Sequence, residues 1–400
     1  MKRCTSCGLP ETHETIAFDA EGVCNICRQH EFKKDKIDWP ANKRALDALI
    51  EEHRGKYDYD CIVPFSGGKD STWTLHYLIK EYGINPLVVR FDHGFMRPNL
   101  EENVKRTVRR LGVDIMTFTP NWKIVQKLML KSFLEKGDFC WHCHTGIFSY
   151  PMWVALEKKV PLIFWGEPSA EYTAYFSYDQ SEQVDETRFN RATNLGISAD
   201  DMFVRLGGSV DRRDLKPYSY PPLKSLRALN YRSVCLGSYI PWDVKMQSGV
   251  IQSELGWKGD HVENVPPAYQ YEKIECYMQG VRDYIKYIKR GYSRPSHLVA
   301  LDRRNGRLSR EEGEHLIRAY EGKRPPSLDL FLDFIGLTEH EFLEVAMGHQ
   351  VSPYVHDPAK TEPGQRTHDF DQWSRDGTMA RVDASDLLAR WRDRKAVGPA

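Results

Sequence analysis

The chain has 400 residues, enough for two domains or for one large α/β domain with appendages. Its 56 basic residues balance 56 acidic ones, so the overall charge does not favour binding to nucleic acid or to an anionic membrane. No run of about 18 apolar residues offers a membrane span, and no apolar segment follows Met1 as in a secretory signal, so we expect a cytoplasmic protein.

Two Cys-x-x-Cys pairs open the chain. Cys4 and Cys7 form the first pair, and Cys24 and Cys27 follow after sixteen residues. Each pair can form a tight knuckle that presents two sulfurs, and two pairs at this separation are typical of a four-thiolate structural zinc site. A segment with so few apolar residues needs a metal in order to fold. We therefore predict a zinc-knuckle module over residues 1–40; a redox dithiol and an iron–sulfur cluster are the alternatives.

The next predicted elements are a strand, a glycine turn and a helix in direct succession. Residues 60–65 form a short apolar run, and residues 72–80 carry apolar side chains on one helical face. Between them lies the sequence SGGKDS, residues 66–71. Backbone N–H groups of such a turn and the dipole of the following helix favour a bound anion, which the glycines allow to approach closely. The segment therefore predicts a phosphate-binding loop.

The side chains of this loop indicate ATP chemistry. Ser66, Lys69 and Ser71 can donate hydrogen bonds to phosphate, and Asp70 can hold a magnesium ion. A Walker A loop would need four residues between its first glycine and Gly-Lys-Ser/Thr, which this spacing excludes. The loop instead resembles the SGGxDS signature of the PP-loop ATP pyrophosphatases, which release pyrophosphate and leave AMP on a substrate oxygen. The resemblance implies catalytic roles for Lys69 and Asp70. It implies ATP contacts from Ser66, Gly67, Gly68, Lys69, Asp70 and Ser71.

Strand and helix patterns alternate before and after the loop. Asn99 is predicted to cap one of the helices, with Glu102 completing a capping box. The alternation predicts an α/β fold with a doubly wound parallel sheet and a ligand site at the carboxyl ends of the strands. We assign residues 41–268 to this PP-loop ATP pyrophosphatase domain. The other predicted elements are helices at 44–51 and 122–133 and strands at 87–91, 114–118, 160–165 and 233–236.

From about residue 269 the pattern becomes purely helical. We predict a helical C-terminal region over residues 269–356 and, because the remainder is polar with few apolar anchors, a loosely ordered tail over residues 357–400. Two capping boxes begin helices in this region, Ser309 with Glu312 and Thr338 with Glu341. One face of a long helix is predicted to carry Ile274, Met278, Val281, Ile285 and Ile288.

Three further stretches, together with the N-terminal cysteines, indicate a more specific resemblance. They are YDYDCIVP at residues 57–64, WGEPSAEY at 165–172 and GSYIPWD at 237–243. With them the chain resembles the N-acetyl sugar amidotransferase family, which is found in surface-polysaccharide gene clusters. The similarity extends from Cys4 to about Met347 and is far more specific than the PP-loop alone.

The resemblance implies a reaction on a free or nucleotide-linked acetamido sugar in O-antigen or capsule biosynthesis. The acetamido oxygen attacks the α-phosphate of ATP, which gives an O-adenylated imidate and pyrophosphate. Ammonia then displaces AMP and leaves an acetamidino group. The implied cofactors are ATP, Mg²⁺ and Zn²⁺. At strand ends next to the loop, Asp92, Gly166 and Glu167 are candidates for contacts to the nucleoside and the metal.

The ammonia needs a source. The chain begins Met1-Lys2, without the N-terminal cysteine nucleophile of one glutaminase type, and Cys235 lacks the preceding glycine expected of the other. The resemblance implies a separate glutaminase and a synthase-barrel partner that supply ammonia.

A second cysteine pair, Cys140 and Cys143, leaves an alternative open. PP-loop tRNA thiolases carry such a pair at about this distance beyond the loop, and some hold a [4Fe–4S] cluster with a third, later cysteine, here Cys235. The alternatives for the pair are buried structural thiols, a metal or cluster site, and a redox or substrate-facing role. The neutral overall charge argues against tRNA. A nucleotide-sensing module without catalysis is a third class.

The aromatic-rich segment at residues 172–178 is a candidate sugar or uracil contact, since aromatic faces pack against both rings. The same residues serve equally well as core and rim aromatics.

Overall fold

The computed structural model describes residues 1–171, 175–178, 184–370 and 382–397. A parallel five-stranded sheet has the order β3-β2-β1-β4-β5. The chain passes from β1 outwards to β2 and β3, then crosses to the other side of β1 for β4 and β5, so the connections reverse direction between β1 and β4. The predicted doubly wound α/β fold is confirmed. The strands are β1 Cys61–Pro64, β2 Pro86–Phe91, β3 Asp114–Phe118, β4 Leu162–Trp165 and β5 Arg232–Cys235.

Helices cover both faces of the sheet and form the C-terminal region. Among the helices in the described ranges, none combines the length and the apolar character that a membrane crossing requires. In chain order they are α1 Asn25–Asp35, α2 Trp39–His53, α3 Lys69–Tyr82, α4 Pro98–Leu111, α5 Trp122–Lys136, α6 Trp141–Lys158, α7 Glu186–Arg188, α8 Ala199–Arg205, α9 Leu223–Ala228, α10 Val244–Leu255, α11 Gln279–Arg290, α12 Arg294–Arg304, α13 Arg310–Tyr320, α14 Ser327–Ile335, α15 Glu339–Met347 and α16 Ser385–Val397.

The central strands are buried on both faces. All residues of β1, β2 and β4 are buried, as expected where helices cover both sides of a parallel sheet. Side chains alternate between the faces: Phe164 of β4 packs in a core with Leu75 of α3, and its neighbour Ile163 packs in a second core with Met152 of α6. The two helix layers thus hold the carboxyl ends of β1 and β4 in fixed positions.

Two predicted helix starts lie elsewhere in the structure. Helix α4 begins at Pro98 with Arg97 as its N-cap and no side-chain capping bond, so the prediction that Asn99 caps this helix is wrong. Proline at the first helical position sets the start because its φ is already helical. Helix α11 begins only at Gln279, so Ile274 precedes it. The capping boxes at the starts of α13 and α15 are confirmed.

The end of the chain is not a loosely ordered tail throughout. Helix α16 buries Leu388 and Trp391 in the core that α5, α11, α14 and α15 form. At the surface Arg392 pairs with Glu344 and Arg394 pairs with Glu135. Two well-placed apolar side chains suffice to anchor a single helix whose other faces are polar.

We expect Trp391→Ala to lower the free energy of unfolding by about 3–5 kcal/mol, because it removes a large side chain that is only 6% exposed. The matched control is Arg390→Ala on the exposed face of α16, with an expected change within about 0.5 kcal/mol. Urea unfolding of the full chain measures both. Equal midpoints for Trp391→Ala and the unaltered chain would show that α16 does not stabilise the fold.

Candidate active site

The loop SGGKDS lies where the sheet connections reverse, between the end of β1 and the start of α3. Gly67 has φ +82°, and a Cβ there would lie 2.5 Å from Cγ2 of Val104. A Cβ on Gly68 would lie 1.9 Å from Oε1 of Glu275. Position 67 therefore requires glycine, while at Gly68 a side chain would have to displace the carboxylate of Glu275. Gly68 is the N-cap of α3 and makes no side-chain capping bond, so N–H groups at the start of this helix are available to a phosphate.

Lys69 is buried at 3% exposure, and two carboxylates hold its ammonium group. Nζ lies 2.7 Å from Oδ2 of Asp70 and 2.9 Å from Oε2 of Glu272. Burial opposes the positive charge, but the carboxylates of Asp70 and Glu272 hold the pKa of Lys69 well above its ordinary value. The lysine is therefore charged and positioned before ATP arrives.

The carboxylate of Glu272 is itself held from a second side. Arg294 lies 3.4 Å from Oε1 of Glu272 and 3.4 Å from Oδ1 of Asp283. Burial alone would raise the pKa of Glu272, but Lys69 and Arg294 lower it to about 2. A continuous ionic chain thus runs from the loop into the C-terminal helices. Local sequence patterns did not reveal Glu272, because its partner lies two hundred residues earlier.

The segment that follows β4, with Gly166 and Glu167, lies beside Asp70 of the loop. A Cβ on Gly166 would lie 3.2 Å from Oγ1 of Thr74 and 3.4 Å from Cβ of Asp70, so β4 ends close against α3. Burial, followed by the charge of Asp70, raises the pKa of Glu167 to about 7. Oδ1 of Asp70 is buried and has no hydrogen-bond partner among the described residues. An orphaned carboxylate oxygen beside a phosphate-binding loop fits a Mg²⁺ ligand.

Asp92 lies outside this arrangement. Its carboxylate accepts hydrogen bonds from the N–H of Gly94 at 2.8 Å and from Oγ1 of Thr119 at 3.2 Å. The neighbours Phe91 and His93 line the loop's cavity instead, because successive side chains of an extended segment point to opposite sides. Of the predicted nucleoside and metal contacts, the structure brings Gly166 and Glu167 to the loop but not Asp92.

Two cavities adjoin at the loop. The loop cavity has a volume of about 260 Å³ and is lined by Ser66, Asp70 and Ser71, among other residues. The helix cavity, of about 390 Å³, lies between α11, α12 and the N-terminal module. Of the predicted aromatic segment, Tyr175 and Phe176 line the helix cavity, and residues 172–174 lie outside the described residues. The two cavities share Phe139, His144, Phe148, Glu167, Arg188, Lys273 and Arg282.

Two cations, Lys273 and Arg282, lie with the carboxylate of Glu167 where the cavities meet. In the part of the chain that the structure describes, neither Lys273 nor Arg282 has an ion-pair partner, whereas Lys286 and Arg290, deeper in the helix cavity, both lie 3.4 Å from Glu14. Lys273 also has φ +51°, a conformation uncommon for a residue with a side chain. The junction therefore suits a phosphate or another anion.

The second cysteine pair is found in the loop cavity, but with a different third cysteine. Cys140, Cys143 and Cys276 all line this cavity. Cys235 is buried in β5, where its sulfur accepts a hydrogen bond from Nη1 of Arg188 at 3.4 Å. The predicted grouping of Cys235 with the pair is therefore wrong. Alternation along β5 directs this side chain into the core of the sheet.

The four N-terminal cysteines converge as predicted. Their sulfurs lie within 4.8 Å of one another, with Cys4 and Cys27 at 3.9 Å and Cys7 and Cys24 at 3.7 Å. Four sulfurs on a tetrahedral zinc ion, each about 2.3 Å from the metal, would lie about 3.8 Å apart. The backbone N–H groups of Cys7 and Cys24 both donate to the sulfur of Cys4. The residues fit a closed structural zinc site.

The N-terminal module is part of the active-site wall rather than a separate appendage. Tyr292 donates to Oε2 of Glu14 at 2.5 Å, and Thr12 donates to the carbonyl of Arg290 at 2.6 Å. On another side of the module, Lys33 lies 2.6 Å from Glu171 in the segment after β4. These contacts place Glu14 in the helix cavity.

Comparison with known proteins identifies the C-terminal region. Residues 268–355 match the family model of the LPS biosynthesis protein WbpG-like, C-terminal domain. Residues 268–355 are thus similar to the C-terminal domain of that family. This domain contributes Glu272, Lys273, Cys276 and Arg282 to the two cavities. The predicted resemblance to the PP-loop sugar amidotransferases is thereby confirmed.

Part of the chain is also similar to other known proteins. The chain is 29% identical to the uncharacterized protein MJ1599 of Methanocaldococcus jannaschii over 28% of its own length and 41% of that protein. It is 29% identical to the glutamine-hydrolyzing GMP synthase of Thermus thermophilus over 29% of its length and 23% of that enzyme. The matches thus span less than half of either relative. The U34-tRNA thiolase NcsA from Methanococcus maripaludis with its [4Fe-4S] cluster aligns over 89% of this chain and 99% of that one, at 13% identity and a TM-score of 0.25.

We expect Lys69→Ala and Asp70→Ala each to lower pyrophosphate release from ATP by about two orders of magnitude or more, the scale of losing one group that stabilises transition-state charge. Glu272→Gln should lower it by about one order of magnitude, because Nζ of Lys69 loses one of its two carboxylates. The matched control is Lys80→Ala, an exposed lysine on the same helix that pairs with Glu254. Pyrophosphate release unchanged in Lys69→Ala would contradict this assignment.

For the N-terminal site we expect Cys4→Ser to release one zinc equivalent per chain and to loosen residues 1–40. The strands and their helices should stay folded because they contain none of the four ligands. Elemental analysis and circular dichroism measure the two effects, with Cys61→Ser as a buried cysteine that holds no metal. Freshly purified protein without zinc would refute the assignment of the metal.

Proposed function

We propose that this chain is an ATP-dependent amidotransferase that converts an acetamido group of a sugar, free or nucleotide-linked, to an acetamidino group in surface-polysaccharide biosynthesis. The observation that carries the proposal is the position of the WbpG-like domain, which supplies the second carboxylate on Lys69 and one wall of the adjoining cavity. One cavity serves ATP and the other serves the sugar.

The first step proposed is adenylation. The acetamido carbonyl oxygen forms a bond to the α-phosphorus of ATP, and the bond from that phosphorus to the bridging oxygen of pyrophosphate breaks. An amide carbonyl is a poor electrophile, and adenylation turns its oxygen into part of a good leaving group. Lys69 and the N–H groups of the loop stabilise the charge that develops on pyrophosphate. Bound Mg²⁺, held by Asp70, would neutralise further phosphate charge.

The second step is displacement of AMP. Ammonia adds to the imidate carbon, the added nitrogen loses a proton, and the bond from carbon to the oxygen of AMP breaks. The residues at the junction of the two cavities are suited to this step. Lys273 and Arg282, without ion-pair partners in the described ranges, lie where the α-phosphate would meet the acetamido group. Their positive charges would hold AMP until it leaves.

The helix cavity supports a sugar as the acceptor. Tyr175 and Phe176 offer aromatic faces, on which sugar rings pack, and Glu14 offers a hydrogen-bond acceptor. The cations around Glu14 are already paired with it, so this end of the cavity suits polar, uncharged groups. Ammonia would come from a separate glutaminase with a synthase-barrel partner.

A tRNA thiolase is the second candidate function. The observation that favours it is the group of Cys140, Cys143 and Cys276 beside the loop. Both candidates share the adenylation step and differ in the second reactant. The balanced overall charge favours the amidotransferase, because tRNA binding depends on contacts to phosphates.

The test supplies ammonium chloride in place of a glutaminase, with ATP and a panel of UDP- and CMP-linked acetamido sugars. We expect AMP and pyrophosphate in equal amounts, and a product lighter than its substrate by the difference between an oxygen atom and an NH group. Mass spectrometry of the sugar and phosphorus NMR of the nucleotides measure both.

Two outcomes would contradict the proposal. ADP and phosphate in place of AMP and pyrophosphate would exclude the adenylation step. Sulfur incorporated into tRNA, with no dependence on ammonium, would assign the thiolase function. Lys69→Ala serves as the control that separates nucleotide turnover at the loop from contaminating activity.

A further inference from the structure

A carboxylate of the C-terminal region lies directly on the glycine turn of the phosphate-binding loop. A Cβ on Gly68 would lie 1.9 Å from Oε1 and 2.7 Å from Cδ of Glu275. Glu275 lines the loop cavity together with Ser66, Asp70 and Ser71, so its carboxylate lies on the cavity side of the loop. Such a loop binds an anion through its backbone, which a glycine allows to approach closely. The carboxylate therefore fills the space through which a phosphate would reach Gly68.

The same contact keeps part of the loop out of the cavity. Gly68 and Lys69 are not among the residues that line the loop cavity or the helix cavity. Lys69 is only 3% exposed. A phosphate that is to contact Gly68 and Lys69 must therefore first displace the carboxylate of Glu275.

The charge of Glu275 is not compensated by a direct partner. Its carboxylate makes neither a hydrogen bond nor an ion pair with any residue that the structure describes. Lys69 is paired with Asp70 and Glu272, and the charge of Glu275 acts on it only as a weaker, more distant contribution. An unpaired carboxylate at a phosphate-binding loop repels phosphate, because both groups are negative.

The side chain of Glu275 can leave the loop without a movement of the backbone. Ile274 on one side is fully buried in the core beneath the sheet, and Cys276 on the other side forms a β-bridge with Met96. These two contacts fix the chain on either side of Glu275. A glutamate side chain has several rotatable bonds and moves between staggered rotamers. Its carboxylate can therefore move off Gly68 and return to it.

We propose that the carboxylate of Glu275 competes with phosphate groups for the loop and, by returning to Gly68, promotes the release of pyrophosphate. ATP is held by its nucleoside as well as by its phosphates, so it can displace the carboxylate. Pyrophosphate has lost the contacts of the nucleoside once the α-phosphate is transferred, so the same competition weakens its binding more. The proposal depends on phosphate binding at the loop, as the proposed function does, and not on which acceptor is adenylated.

The test measures the binding of ATP and of inorganic pyrophosphate to the full chain by calorimetry, with Mg²⁺ and without added Mg²⁺. Glu275→Gln keeps the size of the side chain and removes its charge. We expect it to bind both compounds about tenfold more tightly in both conditions, because the repulsion is gone. The matched control Glu52→Gln removes one charge from the exposed face of α2 and should leave both affinities unchanged.

A second measurement locates the carboxylate itself. In crystals of the unaltered chain, Glu275 should lie on Gly68 without pyrophosphate and away from it with pyrophosphate bound. Equal affinities of the unaltered chain and Glu275→Gln would overturn the proposal. Weaker binding by the variant in Mg²⁺ alone would also overturn it, because this result would identify Glu275 as a metal ligand. Absence of pyrophosphate binding to both chains would overturn the loop assignment together with this proposal, whereas a lack of turnover with sugars concerns only the proposed function.

Discussion

The buried ammonium group of Lys69 is the interaction on which the candidate active site depends. Removing one partner from a buried ion pair leaves an uncompensated charge, which costs several kcal/mol. Lys69 must therefore keep its carboxylates, and one of them, Glu272, belongs to the C-terminal domain. The PP-loop is complete only when that domain is docked. This constraint links the phosphate-binding loop to the part of the chain that matches the WbpG-like C-terminal domain.

Helix α11 shows how one element serves both cavities. Val281, Ile285 and Ile288 bury one face in the C-terminal core, while Arg282 and other basic residues face the cavities. Glu14 of the N-terminal module neutralises the far end of this basic face. At the end of this basic face that is nearest the loop, Arg282 has no ion-pair partner in the described residues. Segments from both ends of the chain thus determine which cations near the loop remain without a carboxylate partner in the described residues.

The sequence predicted what depends on neighbours along the chain. The SGGKDS loop, the paired N-terminal cysteines and the alternating strands are local patterns, and the structure contains all three. Glu272 and Arg282 were not predicted, because their roles depend on residues far away in the sequence. Cys276 stands alone in its segment and offers no spacing to interpret. Cys235 was a candidate third cysteine for the second pair because of the resemblance to tRNA thiolases, but alternation along a buried strand places its side chain in the core.

The two candidate functions differ less than their products suggest. Both require an amide-like oxygen to be adenylated, and the loop with Lys69 and Asp70 serves that step in either case. What separates them is the nucleophile that follows, ammonia or sulfur, and therefore what lies beside the adenylated atom. Cys140, Cys143 and Cys276 line the loop cavity, and none of them lines the helix cavity. Sulfur transfer would use these thiols beside the nucleotide, whereas in an amidotransferase they would only form part of the wall of the loop cavity.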